Sequence, residues 1–212
     1  MRPVDKSLFS TNKTTYNPYG SARTDLIDAL GGYCNYCERQ GFATALEVEH
    51  IQDKKTYDLL KNDWSNFLLS CKNCNTCKST KGIENTFLPD RDNTYEIFTY
   101  LESGYIQVDP SLDSPAKEKA QALIDLVRLD RMPNRNGYKG KDTLWQERKS
   151  GWEISQRYLC KYKKDDCDVE TIKDLVLNGG FWSIWMKAFK DFPEVQKELV
   201  ASFLGTNKGY FE

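Results

Sequence analysis

Apolar and polar positions change rhythm several times along this chain. Residues 1–20 are polar and turn-rich and end in Asn17-Pro18-Tyr19-Gly20. They read either as an arm that packs loosely or serves a partner, or as a plain ordered extension. From Ser21 the spacing turns helical. Leu26 and Leu30 fall on one face, Ser21 suits the N-cap, and Gly31-Gly32 stops a short helix after Ala29. Residues 44–51 alternate in part and predict a strand. A polar loop covers Gln52 to Asp63, Phe67-Leu68-Leu69 suits a second short strand, and a helix is expected to begin near Cys74. Residues 94–101 and 105–108 alternate around Glu102-Ser103-Gly104, the pattern of a β-hairpin.

Beyond the hairpin the period is helical. Ser114-Pro115 opens a helix with Ala116, Ala120, Leu123 and Val127 at helical spacing. The segment Met132–Lys141, with Pro133, Gly137 and Gly140, reads as a loop. Three more helices are predicted at about 142–160, 168–178 and 181–204, the last broken at Pro193. Trp182, Trp185, Met186 and Phe189 form an apolar stripe that reads as core rather than as a cofactor box. The expected class is α+β: an N-terminal arm over 1–20, a mixed unit over 21–110 and a helical region over 111–212.

Composition narrows the class. A 39% hydrophobic share with 29% charged residues can build a core and does not describe a disordered chain. A mean hydropathy of −0.68 and the lack of a long apolar run exclude a membrane-spanning helix. Met1-Arg2-Pro3-Val4-Asp5-Lys6 lacks the apolar stretch of a secretory signal, so a cytoplasmic location and no membrane partner are expected. The formal net charge is −1, unlike that of a strongly basic free-standing nucleic-acid binder. Any nucleic-acid contact must come from local basic patches or from a partner.

Seven cysteines are an odd number for a disulfide framework in a reducing compartment, which favours metal ligation where the spacing is paired. Cys34-Asn35-Tyr36-Cys37 and Cys71-Lys72-Asn73-Cys74 are two C-x-x-C knuckles separated by 33 residues. Four thiolates match the tetrahedral preference of Zn²⁺, and a closed Cys₄ site is structural because no position is left for substrate. Cys74-x-x-Cys77 is a competing pair. Cys71/Cys74 is preferred because it puts Cys74 at the helix start and leaves Cys77 a spare thiol. Cys160 and Cys167 lack ligand spacing and read as packing residues.

The chain has one histidine, His50, at the end of the predicted strand between the knuckles. Hydrolysis of a phosphodiester needs a base for the attacking water and a cation on the phosphate and leaving oxygen. Imidazole titrates near neutrality and can be that base. Hard oxygen ligands can hold Mg²⁺ or Mn²⁺, and Glu49 offers a carboxylate beside the base. Neighbouring strand residues face opposite ways, so Glu49 and His50 would address different sides of a phosphate unless the strand ends there.

Tyr33–Cys37, Glu47–Ile51, Trp64-Ser65-Asn66-Phe67-Leu68-Leu69-Ser70-Cys71 and Cys74-Asn75-x-x-Lys78 together resemble the HNH endonuclease motif with its zinc knuckles. The resemblance implies a ββα-metal core. In it His50 is the general base and Asn66 pins the loop between the strands. Asn75 and Glu49 hold a catalytic Mg²⁺ or Mn²⁺, and Lys78 contacts phosphate. Two departures stand out: many members have Asp where this chain has Glu49, and a Pro-Lys step where it reads Gln52-Asp53-Lys54-Lys55. Further features resemble bacterial anti-phage HNH proteins encoded beside an ATPase, such as the nuclease subunits of Septu and retron-associated systems. They are a helix running into Gly31-x-Tyr33-Cys34-x-Tyr36-Cys37-Glu38, then Phe87-Leu88-Pro89-Asp90 before a hairpin, a helix ending Leu129-Asp130-Arg131, and Phe203-Leu204-Gly205-Thr206. That resemblance implies an ATPase partner docked on the helical half.

Two basic regions remain. Lys54, Lys55, Lys72, Lys78 and Lys81 lie inside the motif. Lys54, Lys55, Lys78 and Lys81 are the expected nucleic-acid contacts. Residues 128–149 hold seven basic side chains, including Arg131, Lys139 and Arg148, against three acidic ones. They read either as a solvated surface stretch or as a segment that tracks phosphates. Metal-dependent cleavage of DNA is the expected activity. The alternatives are a catalytically inactive zinc-stapled binder or adaptor, and an RNA substrate.

Overall fold

The computed structural model describes residues 1–135, 138 and 140–212. Lys139 of the basic stretch and Gly137 of the predicted loop lie outside the described residues. Seven α-helices and two small antiparallel sheets form a mixed fold among the described residues.

Helix α1 spans Ala22–Leu30 and ends at Gly31, which takes φ +77°. Ser21 does not cap it through its side chain. A 3₁₀ turn over Tyr19–Ser21 precedes the helix, and Ser21 Oγ donates instead to the Pro18 carbonyl at 2.8 Å. Strands β1 (Leu46–His50) and β2 (Phe67–Cys71) pair antiparallel, from Leu46 opposite Cys71 to His50 opposite Phe67. Helix α2 (Lys72–Lys78) follows β2 directly, so it starts two residues earlier than expected and Cys71, not Cys74, occupies its N-cap. This β1–loop–β2–α2 unit is the expected ββα core.

Strands β3 (Phe98–Tyr100) and β4 (Ile106–Val108) form the hairpin, shorter than the alternation suggested. Tyr95 is drawn off to stack its ring edge on Trp182, and residues 94–97 turn rather than extend. Helix α3 (Ser114–Val127) is capped by Asp113, whose carboxylate accepts from Ala116 N. Helices α4 (Leu144–Tyr162), α5 (Val169–Gly179), α6 (Trp182–Ala188) and α7 (Pro193–Ser202) complete the chain. The last predicted helix is thus two, parted by Phe189–Phe192 ahead of Pro193.

Trp182, Trp185, Met186 and Phe189 are buried with Ile172, Val176, Val195 and Leu199 in a core of their own, as the stripe predicts. A larger core joins α1, both strands of the ββα unit and α3. Residues 1–20 pack in part against the rest of the chain. Met1, Val4 and Tyr16 are buried, and Arg2 donates to the carbonyls of Leu30 and Leu204 and to Thr206 Oγ1.

The first knuckle meets the helical half closely. Arg39 forms a two-pronged pair with Glu147 of α4, and Phe181 N donates to the Glu38 carbonyl. Gly180 makes this approach possible: it sits at φ +72°, and a Cβ there would come within 2.6 Å of that same carbonyl oxygen.

Candidate active site and metal centre

Two turns of backbone bring the knuckles together. Cys34 and Cys37 lie on the turn after α1, and Cys71 and Cys74 on the β2–α2 junction. Their four sulfurs lie within 4.8 Å of one another, and all four residues are buried. Cys37 Sγ and Cys71 Sγ are 3.8 Å apart, and a tetrahedron of Zn–S bonds near 2.3 Å has an edge of about 3.8 Å. The donor set therefore fits zinc in number, chemistry and spacing. Without a cation the thiols compete for protons: hydrogen bonding with Cys34 pulls Cys71 down and pushes Cys37 and Cys74 up. Cys77 lies outside the cluster.

Arg131 lies against the sulfurs. Its Nη2 is 3.5 Å from Cys74 Sγ, its Nη1 is 3.8 Å from Cys77 Sγ, and its Nε is 2.5 Å from Asp142 Oδ2. Asp142 also accepts from Leu144 N at the start of α4. Arg148 is 2% exposed and donates to the carbonyls of Gly104 and Leu129. These two arginines leave the surface reading and the phosphate reading to the rest of the stretch, of which Arg135, Lys141 and Lys149 are exposed. Net charge along a sequence cannot tell a buried cation with partners from a surface one.

Beside β1 lies a cleft of about 430 Å³ bordered by Glu47, Glu49, His50, Asp53, Lys54 and Asn75, with Tyr19 and Arg23 from the α1 region. His50 is the last residue of β1. Its ring is held edge-on between Tyr19 and Phe67, at centroid distances of 4.7 and 5.2 Å. Its Nε2 is 2.9 Å from the Lys61 carbonyl. A carbonyl only accepts, so this bond puts the proton on Nε2 and leaves the lone pair on Nδ1. Burial holds the imidazole pKa below its usual value. The ring is therefore neutral at neutral pH, the state a base requires.

Glu49 points the other way, towards α2. It is 2% exposed, and its Oε1 lies 3.0 Å from Lys78 Nζ, whose side chain is fully buried. Lys78 also donates to the His50 carbonyl at 2.6 Å. Burial raises the Glu49 carboxyl to about 7 against the opposing pull of Lys78. Lys78 was expected to contact phosphate, and its position corrects that. It neutralises a buried carboxylate and anchors the end of β1. An amphipathic lysine in a motif looks the same in sequence whether its ammonium ends inside or outside.

Asn75 on α2 donates Nδ2 to Glu47 Oε2 at 2.7 Å, within the cleft. Glu47 had no assigned part in the sequence reading. Strand alternation carries the missing signal, since residues 47 and 49 must share a face and 47 lies nearer the open side. Glu47, Glu49 and Asn75 together offer hard oxygen donors of the kind that suit Mg²⁺ or Mn²⁺.

Asn66 does not border the cleft. It is buried, accepts from Gln52 N at 2.7 Å, and donates Nδ2 to the Gln52 and Leu60 carbonyls at 2.9 and 3.2 Å. Lys54 borders the cleft with its ammonium 2.6 Å from Tyr19 Oη and 4.1 Å from the centre of that ring. Lys55 is exposed beside it. Lys81 is exposed but donates to the carbonyls of Asp125 and Leu126 at the end of α3. No described helix is long and apolar enough to cross a membrane.

Residues 34–81 match the family model described as HNH endonuclease. The Septu protein PtuB of Bacillus thuringiensis is 34% identical over 104 residues, which cover 46% of this chain and 40% of that protein. The chain thus matches about two-fifths of that relative's length.

Proposed function

We propose that this chain, with an HNH endonuclease domain at residues 34–81, is a divalent-metal-dependent nuclease that hydrolyses phosphodiester bonds of DNA. The observation that carries the reading is His50 itself. The only histidine of the chain stands at a strand end, neutral, with its tautomer set by the Lys61 carbonyl, on a cleft that also holds Asn75 and the carboxylates of Glu47, Glu49 and Asp53.

In this reading Nδ1 of His50 takes a proton from water as the water oxygen bonds to phosphorus. The phosphorus–oxygen bond to the departing sugar then breaks, and that oxygen leaves as a hydroxyl once protonated. Glu49 and Asn75, with Glu47 beside them, are the residues that would hold Mg²⁺ or Mn²⁺. When bound, that cation supplies positive charge at the phosphate and the leaving oxygen. Asn66 fixes the loop whose Lys61 carbonyl orients the base. The four-cysteine cluster holds zinc and keeps β2 and α2 in place. Lys54, Lys55 and Lys81 are the residues proposed to lie along the nucleic acid.

The likeness to a Septu protein supports a role in defence against phage, and the helical half is the part we assign to an ATPase partner. The chain's net charge of −1 favours a subunit that gains part of its DNA affinity from such a partner.

A plasmid-nicking assay with Mg²⁺ or Mn²⁺ tests the activity. Wild-type chain, alone or with its partner, is expected to convert supercoiled DNA to nicked or linear forms. His50→Ala is expected to lose about 10²–10⁴-fold in rate while melting like wild type. Equal cleavage by both proteins would remove His50 from the chemistry. Zinc-bearing protein that cuts neither DNA nor RNA would leave a binding or adaptor role.

A further inference from the structure

The cleft holds a cation outside the matched motif. Arg23 lies in the first turn of α1 and borders the cleft beside His50, Glu47 and Lys54. Its Nε is buried from solvent and has no hydrogen-bond partner. Among the described residues it forms no ion pair or ring contact. The nearest acid on its own helix is already engaged, since Asp25 accepts from Tyr16 Oη at 2.6 Å and faces Lys13. The other acids of the cleft are also occupied. Glu47 is bonded to Asn75, Glu49 to Lys78, and Asp53 to Thr56 and the Lys55 amide.

Two costs follow for the molecule with nothing bound. A buried guanidinium N–H without an acceptor forfeits its hydrogen bond to water. A cation in the first turn also lies at the positive end of the helix dipole. A single anion in the cleft relieves both. The guanidinium presents several N–H donors in a planar fork that matches two oxygens of a phosphate. Gly20, which shares this border, leaves open space where a side chain would stand, with nothing within 4 Å of a Cβ built there.

We propose that Arg23 binds a backbone phosphate of the nucleic-acid strand seated in the cleft, across from His50. This rests on the nuclease reading for its consequence in catalysis, but its binding consequence can be measured separately.

The test uses the full chain and a labelled DNA duplex. Binding is followed by fluorescence anisotropy over a salt series without added divalent cation. Cleavage of the same duplex is followed with Mn²⁺, for wild type, Arg23→Gln, Arg23→Lys and His50→Ala. Arg23→Gln is expected to melt like wild type and to bind roughly tenfold more weakly. Its salt slope should be shallower by about one phosphate contact, and its cleavage should be about 10²-fold slower. Arg23→Lys is expected to keep the slope but not the full cleavage rate, because a point charge lacks the fork.

Wild-type affinity and slope in Arg23→Gln would overturn the proposal, and so would a wild type without salt-dependent DNA binding. If Arg23→Gln does not fold, Arg23→Lys decides. Weakened binding or slowed cleavage supports the proposal, and wild-type values in both overturn it. If wild type cuts neither alone nor with its partner, the nuclease reading fails, and the salt slope of Arg23→Gln still decides this proposal.

Discussion

Three side chains of the segment that matches the HNH endonuclease model, two of them neighbours in sequence, end in different environments. His50 is wedged between two rings, Glu49 is buried against α2, and Lys78 is buried beneath both. The Lys78–Glu49 pair illustrates how little a charge in a sequence says about where it lies. An ion pair this deep contributes little net stability when intact, but removing one member leaves a buried charge without its partner. Lys78→Met is therefore expected to lower stability by about 3–5 kcal/mol, measured by urea unfolding. Lys78→Met combined with Glu49→Gln should recover part of that loss, since the second change removes the stranded carboxylate. A single variant with wild-type stability would show that Lys78 reaches solvent after all.

At the scale of elements, the loop between β1 and β2 decides how the His50 ring is oriented. Residues 52–63 carry no regular structure beyond a 3₁₀ turn over Asp58–Leu60, yet the Lys61 carbonyl that holds the His50 ring belongs to them. Asn66 fastens this loop with three side-chain hydrogen bonds, two of them a reciprocal pair with the Gln52 backbone. Asn66→Ala leaves the half-buried Gln52 amide and two carbonyls without this partner. It is expected to cost about 1–3 kcal/mol and to slow cleavage without changing any group that meets substrate. Hydrogen exchange at Gln52 and Lys61 should accelerate more than at β2. Unchanged exchange there, with slowed cleavage, would mean that Asn66 acts in some other way.

At the scale of the molecule, the sulfur cluster is a junction. It joins the turn after α1 to the β2–α2 step, and Arg131 extends it through Asp142 to the start of α4. The first knuckle is tied to the same helix by Arg39–Glu147. Because zinc binding of this kind is coupled to folding, freshly purified protein is expected to contain about one zinc per chain by elemental analysis. Chelation under mild denaturant should lower the melting temperature of the ββα core and of the helical half together. Protein with no zinc, or a helical half that melts unchanged, would contradict this.

The sequence by itself determined what depends on short spacing. Period-two and helical runs placed the strands and most helices, since local rhythm sets which face can be buried. The C-x-x-C spacing picked out the candidate cysteines, and the choice of Cys71/Cys74 over Cys74/Cys77, which spacing alone leaves open, agrees with the cluster. Order along the motif brought His50, Asn66 and Asn75 into one unit. What required the tertiary structure was the destination of long polar side chains and of residues far apart in sequence. Whether Lys78, Arg131 or Arg148 ends in solvent depends on which elements pack over it. The arrival of Arg23 at the cleft depends on how α1 docks beside β1. Neither is written in any local pattern, because burial of a charge is a property of its neighbours in space and not of its neighbours in the chain.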